Sequence, residues 1–154
     1  MPPVPEVRVG TREQANTRIV LRAMDEVFTA ANLAAVDELY APDFVNHVPP
    51  SLGAEVRGRE HVKQFVAHWR RALPDLVHQV EDVRTDRDMV VVRWRARGTH
   101  EGRLWGVGPT GRQLEVPAFE LSRVLDGRIV EQWLALDTLG LAQQLGIAPT
   151  LNAS

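Results

Sequence analysis

A chain of 154 residues, 44% hydrophobic and 25% charged, is long enough to bury one core without staples and too ordinary in composition for a disordered protein. Its formal charge of −2 excludes the strongly basic surface of a general nucleic-acid binder, and the absence of cysteine removes disulfides, thiol nucleophiles and thiolate metal sites. No basic leader followed by an apolar run occurs, nor any stretch of about 18 apolar residues, so the expectation is a cytoplasmic protein with no nucleic-acid or membrane partner.

Residues 1–11 contain three prolines and no periodicity, and read as an extended N-terminal arm. One domain is expected over 12–147, with a short tail over 148–154. Val20, Ala23, Met24, Val27, Phe28 and Ala31 recur at spacings of three and four, which predicts a first helix with one apolar stripe. Asn32 reads as the cap of a second, short helix, which Ala41-Pro42-Asp43 ends. Phe44 to His47 resumes as an extended piece, and a loop with Pro49, Pro50 and Gly53 follows. Val62, Phe65, Val66, Trp69, Ala72 and Leu73 mark a third helix over about 59–73, stopped by Pro74.

After Leu76 the period changes to two, with strands expected at about 76–85, 89–100, 113–124 and 128–136, closed by a helix over about 138–145. Helices first and a meander after them define an α+β domain.

In the second of these strands Arg93, Arg95 and Arg97 share one side, while Val90, Val92, Trp94, Ala96, Gly98 and His100 share the other. The arginine row reads as a solvated or subunit-facing surface. His100 has the parity of the buried face, where an imidazole can titrate near neutrality, as acid–base chemistry requires; the plainer alternative is a core histidine bonded to backbone.

The last two strands meet at Leu125-Asp126-Gly127-Arg128, a sequence that suits a type I turn followed by a glycine bulge. That register pairs Glu120 with Gln132 and Ala118 with Leu134. A simple two-residue turn instead sets Glu120 beside Trp133. In both, Glu120 points to an apolar face, where burial raises a carboxyl pKa, unless it is an edge glutamate facing solvent or another subunit. Asp137 precedes the terminal helix, so its simplest role is an N-cap, and it is kept as a third acid–base candidate.

Asn46 and His47 follow a proline-marked turn and are assigned to the pocket mouth. Trp69 and Trp94 occupy positions that core packing alone would explain, and both are assigned to the pocket wall with Gln132 and Leu134. Trp105, in a loop with Gly102, Gly106, Gly108 and Gly111, can serve as a lid over a flat apolar ligand. His61, His68 and His78 have no ligand-like spacing with carboxylates, and neither a metal site nor a cofactor is expected.

Several segments together carry a family resemblance. Ala41-Pro42-Asp43-Phe44-Val45-Asn46-His47, Gly98-Thr99-His100-Glu101-Gly102, Gly108-Pro109-Thr110-Gly111-Arg112 and Asp126 through Trp133 resemble the SnoaL-like polyketide cyclase and ester cyclase family, within the nuclear transport factor 2-like superfamily. The resemblance implies a curved antiparallel sheet forming a cone, covered by the N-terminal helices around a central apolar pocket, with a homo-oligomer (dimer or tetramer) formed through the other side. It also implies that the acid–base aspartate of aromatic aldol cyclases falls at Leu134 and a pocket histidine at Glu120, so their machinery is not copied here.

The expected function is a cofactor-independent cyclase or isomerase acting on a small hydrophobic polyketide- or terpenoid-like metabolite, with Glu120 and His100 as the proton-transfer pair. Epoxide opening suits that pair slightly better than aldol closure. The alternatives are a non-catalytic ligand-binding or accessory protein, whose Glu120 and His100 would not converge, and an epoxide or ester hydrolase.

Overall fold

The computed structural model describes residues 10–53 and 55–151. The expected arm therefore lies mostly outside the described residues. Of its last two positions, Gly10 precedes and Thr11 opens helix α1 (Thr11–Arg22). The helix continues without a break into a π-helical stretch, Ala23–Thr29, whose wider turn still buries Met24 and Val27. The expected Asn32 cap of helix α2 (Ala34–Leu39) is not made: Leu33 holds the N-cap position without a side-chain bond, and the Asn32 carbonyl accepts from Ala35 N–H. Strand β1 (Tyr40–His47) begins four residues before the extended piece read from the sequence. A two-residue strand β2 (Val56–Arg57) and helix α3 (Gly58–Ala72) follow.

Strands β3 (Val77–Asp86), β4 (Met89–Thr99), β5 (Gln113–Leu125) and β6 (Arg128–Leu136) lie where the period-two pattern put them. The sheet order is β2-β1-β6-β5-β4-β3. Every neighbour pair is antiparallel except β1 with β6, which run parallel. The sheet is curved and does not close on itself. The helices cover its concave face, which carries Val90, Val92, Trp94 and Ala96 from β4 and Leu114, Val116 and Ala118 from β5, all buried. Each large aliphatic side chain buried there contributes roughly 1.5–3 kcal/mol. The other face carries Arg93, Arg95 and Arg97, paired with Glu81 and Glu115.

The β5–β6 hairpin starts in the two-residue-turn register, with Leu125 opposite Arg128 and Val124 opposite Ile129, and leaves both expected registers beyond it. Asp126 and Gly127 both have positive φ, 49° and 76°, which makes the connection a two-residue type I′ turn whose twist matches that of the strands. The bulge falls later. Val124 pairs with Ile129, Arg123 pairs with Glu131, and Val130 is the extra residue between them. Glu120 therefore lies opposite Leu134 and Ser122 opposite Gln132. Relative to the bulged-turn expectation the pairing has moved by two residues, an even shift that leaves Glu120, Gln132 and Leu134 on one face.

Helix α4 (Thr138–Gln144) closes the described fold, with Asp137 as its N-cap: Oδ1 accepts Gly140 N–H at 2.8 Å. No helix among the described residues is long and apolar enough to cross a membrane.

Candidate active site

The concave face of the sheet, the π-helical stretch and α3 enclose a cavity of two joined lobes, of about 50 and 30 Å³, that share Phe28, Phe65, His78 and Trp94. The first lobe is apolar, walled by residues such as Trp69, Leu73, Val116 and Leu136. The second is polar at its far end, where Asn46, Glu120 and Gln132 meet beside Leu134. A wider chamber of about 380 Å³ lies outside, sharing Phe65 and Trp69 with the first lobe and lined also by Glu55, His61, His68 and Trp105.

Glu120 is 5% exposed. Its Oε1 accepts from Gln132 Nε2 at 2.8 Å and from Ser122 Oγ at 3.3 Å, and Gln132 Nε2 also donates to Ser122 Oγ at 2.8 Å. Among the described residues nothing donates to Oε2. Burial pushes the carboxyl up to about 7, with the Ser122 hydroxyl opposing. The neighbouring Tyr40 hydroxyl is pushed well above its ordinary value by burial first and by the Glu120 charge second, with Gln132 opposing. That hydroxyl and Asn46 Oδ1 are both buried without a hydrogen-bond partner among the described residues. At neutral pH this end of the cavity thus holds one carboxyl close to half-protonated, beside the Asn46 oxygen, which lines the lobe and can meet a ligand.

The raised value has a consequence for stability. Folding favours the protonated carboxyl, so the contribution of Glu120 is fully present below its ordinary value of 4.5 and is lost as pH rises through about 7. The loss amounts to about 3 kcal/mol at alkaline pH. Glu120→Gln is therefore expected to melt at about the wild-type temperature at pH 4.5 and several degrees above it at pH 8.5. A melting difference that stays flat across that range would refute the buried, uncompensated carboxyl.

His78 is the residue that sequence reasoning set aside. It alternates with Leu76 and Val80, which gives it inward parity on β3, a signal present in the sequence although His78 has no metal-like spacing. Its ring packs against Trp94 at 5.1 Å and Phe28 at 5.7 Å between centroids, and it lines both lobes. Burial, with the Arg70 charge second, pushes its pKa down to about 4, so the imidazole is neutral at physiological pH. Nδ1 is buried without a partner among the described residues.

Of the residues assigned from sequence, Asn46, Trp69, Trp94, Gln132 and Leu134 line the lobes. Trp105 lies in the outer chamber, edge-on to Trp69 at 6.2 Å between centroids. His100 is fully buried but is not brought to Glu120. Glu120 pairs with Val92, eight residues from His100, or about 25 Å of strand. His100 Nδ1 instead meets Thr110 Oγ1 at 2.9 Å at the base of the loop over 101–111, and His100 lines neither lobe. Asp137 is exposed and committed to capping. His47 leaves the pocket mouth because it follows inward-facing Asn46 and so points outward. There it stacks on Trp133, with Nδ1 3.0 Å from Glu55 and Nε2 2.8 Å from Glu131. Among the described residues no group of three or more His, Asp or Glu side chains is placed to hold a metal.

A curved sheet with helices over its concave side, holding an apolar cavity with one buried carboxyl, defines a small pocket protein of the nuclear transport factor 2-like class. Residues 18–145 match the SnoaL-like polyketide cyclase family, and the chain belongs to it. It is 30% identical over 125 residues to the nogalonic acid methyl ester cyclase of Streptomyces nogalater, covering 80% of this chain and 92% of that one. It is 27% identical over 129 residues to the aklanonic acid methyl ester cyclase DnrD of Streptomyces peucetius, covering 82% and 88%. Among solved structures, IdmH of Streptomyces antibioticus superposes with a TM-score of 0.76 at 34% identity, over 85% of this chain and 98% of that one. A SnoaL-like protein of Jannaschia sp. CCS1 superposes with a TM-score of 0.82 at 29% identity, over 91% and 97%.

Proposed function

We propose that the protein is a cofactor-independent cyclase that closes a ring in a flat, oxygenated polyketide, with Glu120 as the group that moves the proton. The observation that carries this reading is a carboxyl buried at the end of an apolar cavity, held through Oε1 and, among the described residues, unbonded at Oε2. The curated relatives are, by their names, cyclases of nogalonic acid methyl ester and aklanonic acid methyl ester, which supports ring closure, and a single carboxyl in the cavity favours aldol-type closure over epoxide opening by a separate acid and base.

The chemistry needs only one such group. An ionised Glu120 takes a proton from the carbon beside a carbonyl, and the enolate attacks a second carbonyl of the same molecule, forming the carbon–carbon bond. The alkoxide that results is protonated by the carboxyl, which returns to its starting state. No proton is gained or lost overall, and a carboxyl near 7 is matched to both halves of the cycle. His100 has no part in it.

Incubating the purified protein with nogalonic acid methyl ester or aklanonic acid methyl ester and no added cofactor is expected to give a product of unchanged mass with one more ring, read by chromatography and NMR. Saturable binding of both esters with no conversion would transfer the protein to the ligand-binding class.

A further inference from the structure

The part of the cavity wall that β3 and β4 supply, beside Glu120 on β5, carries polar atoms that proton transfer does not use. Trp94 is 7% exposed, its Nε1 is buried without a hydrogen-bond partner among the described residues, and the same holds for His78 Nδ1. Leaving a buried polar nitrogen unpaired costs about 1–3 kcal/mol, so two such atoms on contacting rings of one cavity wall are unlike ordinary core. Val80 pairs with Trp94 and His78 with Ala96, so the two rings stand on adjacent strands and meet edge to face. Glu120 stands one strand beyond Trp94, on β5, and two residues further along toward the opposite end. His78 and Glu120 are thus two strands and four residues apart. They cannot touch, yet both face the second lobe.

We propose that His78 and Trp94 form a clamp for a ketone oxygen, which fixes the substrate class as aryl ketones entering with the carbonyl edge toward β3 and β4. The indole carries one N–H, and the neutral imidazole in its Nδ1–H tautomer carries another, so in that tautomer the pair can direct two donors at one oxygen. The Arg70 charge reaches His78. The Arg70 guanidinium is tied to the carbonyls of Phe28, Thr29 and Pro74, and its charge opposes protonation of the imidazole. The same charge stabilises an oxygen that becomes negative. Donors placed where charge develops in a low-dielectric site are a principal source of rate enhancement. The opposite end offers acceptors, Asn46 Oδ1 and the Glu120 carboxylate, which suit hydroxyl or acidic C–H groups. The lobes admit one ring edge, and the chamber beneath Trp105 takes the remainder of a larger ligand.

This inference rests on the cyclase reading for its biological substrate, but its test does not. The probes are 1-indanone and indane, matched in shape and different in the carbonyl, bound to the full chain and to His78→Phe and Trp94→Phe, which keep an aromatic ring at each position. Affinities come from NMR titration, and the ¹³C-labelled carbonyl stretch from difference infrared spectroscopy. In the wild type the bound stretch is expected below its value in hydrocarbon solvent, with the indole N–H resonance of Trp94 shifting on titration with indanone and not with indane. The ratio of indanone to indane affinity is expected to fall about fivefold in each variant, one hydrogen bond of about 1 kcal/mol apiece. An unshifted stretch in the wild type, or a ratio unchanged in both variants, would overturn the clamp. Ring closure of the polyketide esters with no clamp on indanone removes this inference and leaves the cyclase. A clamp on indanone with no ring closure removes the cyclase and supports the clamp.

Discussion

Glu120→Gln is expected to lower kcat for ring closure by a factor on the order of 10² to 10⁴, the usual contribution of a positioned acid–base group, with KM changed only a few-fold. Glutamine keeps the volume and the Oε1 acceptor that Gln132 uses, so the cavity wall survives while the ionisable oxygen is lost. The wild-type rate should rise with pH through about 7, where the carboxyl ionises and becomes able to take a proton from carbon. The residual rate of the variant should show no such step. Leu134 gives a second arm to this test, because it is the cross-strand partner of Glu120, and directly opposed Cβ atoms in an antiparallel pair lie roughly 4.5–5.5 Å apart. A carboxyl introduced by Leu134→Asp in the Glu120→Gln background enters the same end of the cavity from the next strand, and should restore part of the lost rate. Turnover of Glu120→Gln within a few-fold of wild type would remove Glu120 from the chemistry and favour a binding or accessory role for the pocket.

What the sequence made legible, and what it hid, follows from the range of each signal. Periodicity is local. It placed α3 and four strands to within a residue or two, and it put Glu120, Gln132 and Leu134 on one face although the hairpin register was wrong, because a slip of two preserves parity. Turn chemistry is also local, but Asp-Gly suits both a bulged type I turn and a type I′ turn, and the bulge at Val130 has no residue signature of its own. The parallel pairing of β1 with β6 brings Asn46 beside Gln132 through contacts more than 80 residues apart, and nothing in either segment announces it. His100 shows the limit most clearly. Its parity matched the buried face, yet parity says nothing of distance along a strand, and eight residues separate it from the partner of Glu120. His78 had the same parity signal and lies in the cavity. The difference between the two histidines is position along the same end of the sheet: His78 pairs with Ala96, within the stretch of β4 that lines the cavity, whereas His100 lies just past the end of β4 and is taken up by the loop over 101–111.

Gly102→Ala should be the most damaging single methyl in the loop that carries Trp105. A Cβ at Gly102 would lie 2.1 Å from the Arg71 carbonyl oxygen and 3.0 Å from Ala72 Cα, both backbone atoms of the end of α3 that no rotamer change can move. The loop is docked there by two bonds, from Glu101 N–H and Gly102 N–H to the Ala72 carbonyl, each 3.0 Å. Accommodating the methyl means lifting the loop off α3, which breaks both bonds and draws fully buried Leu104 and the Trp105–Trp69 contact with it. The expected cost is about 3 kcal/mol, or a fall of roughly ten degrees in Tm for a chain of this size. Gly108 in the same loop supplies the comparison. A Cβ there meets nothing within 4 Å and its φ is not positive, so Gly108→Ala should leave Tm within about a degree or raise it slightly by restricting the unfolded chain. Equal melting of the two variants would mean that the docking of Gly102 against α3 does not hold the loop. If Gly102→Ala alone is destabilised, and indole fluorescence reports a more solvated Trp105, then a backbone contact far from Glu120 sets how tightly the outer chamber closes over whatever the cavity holds.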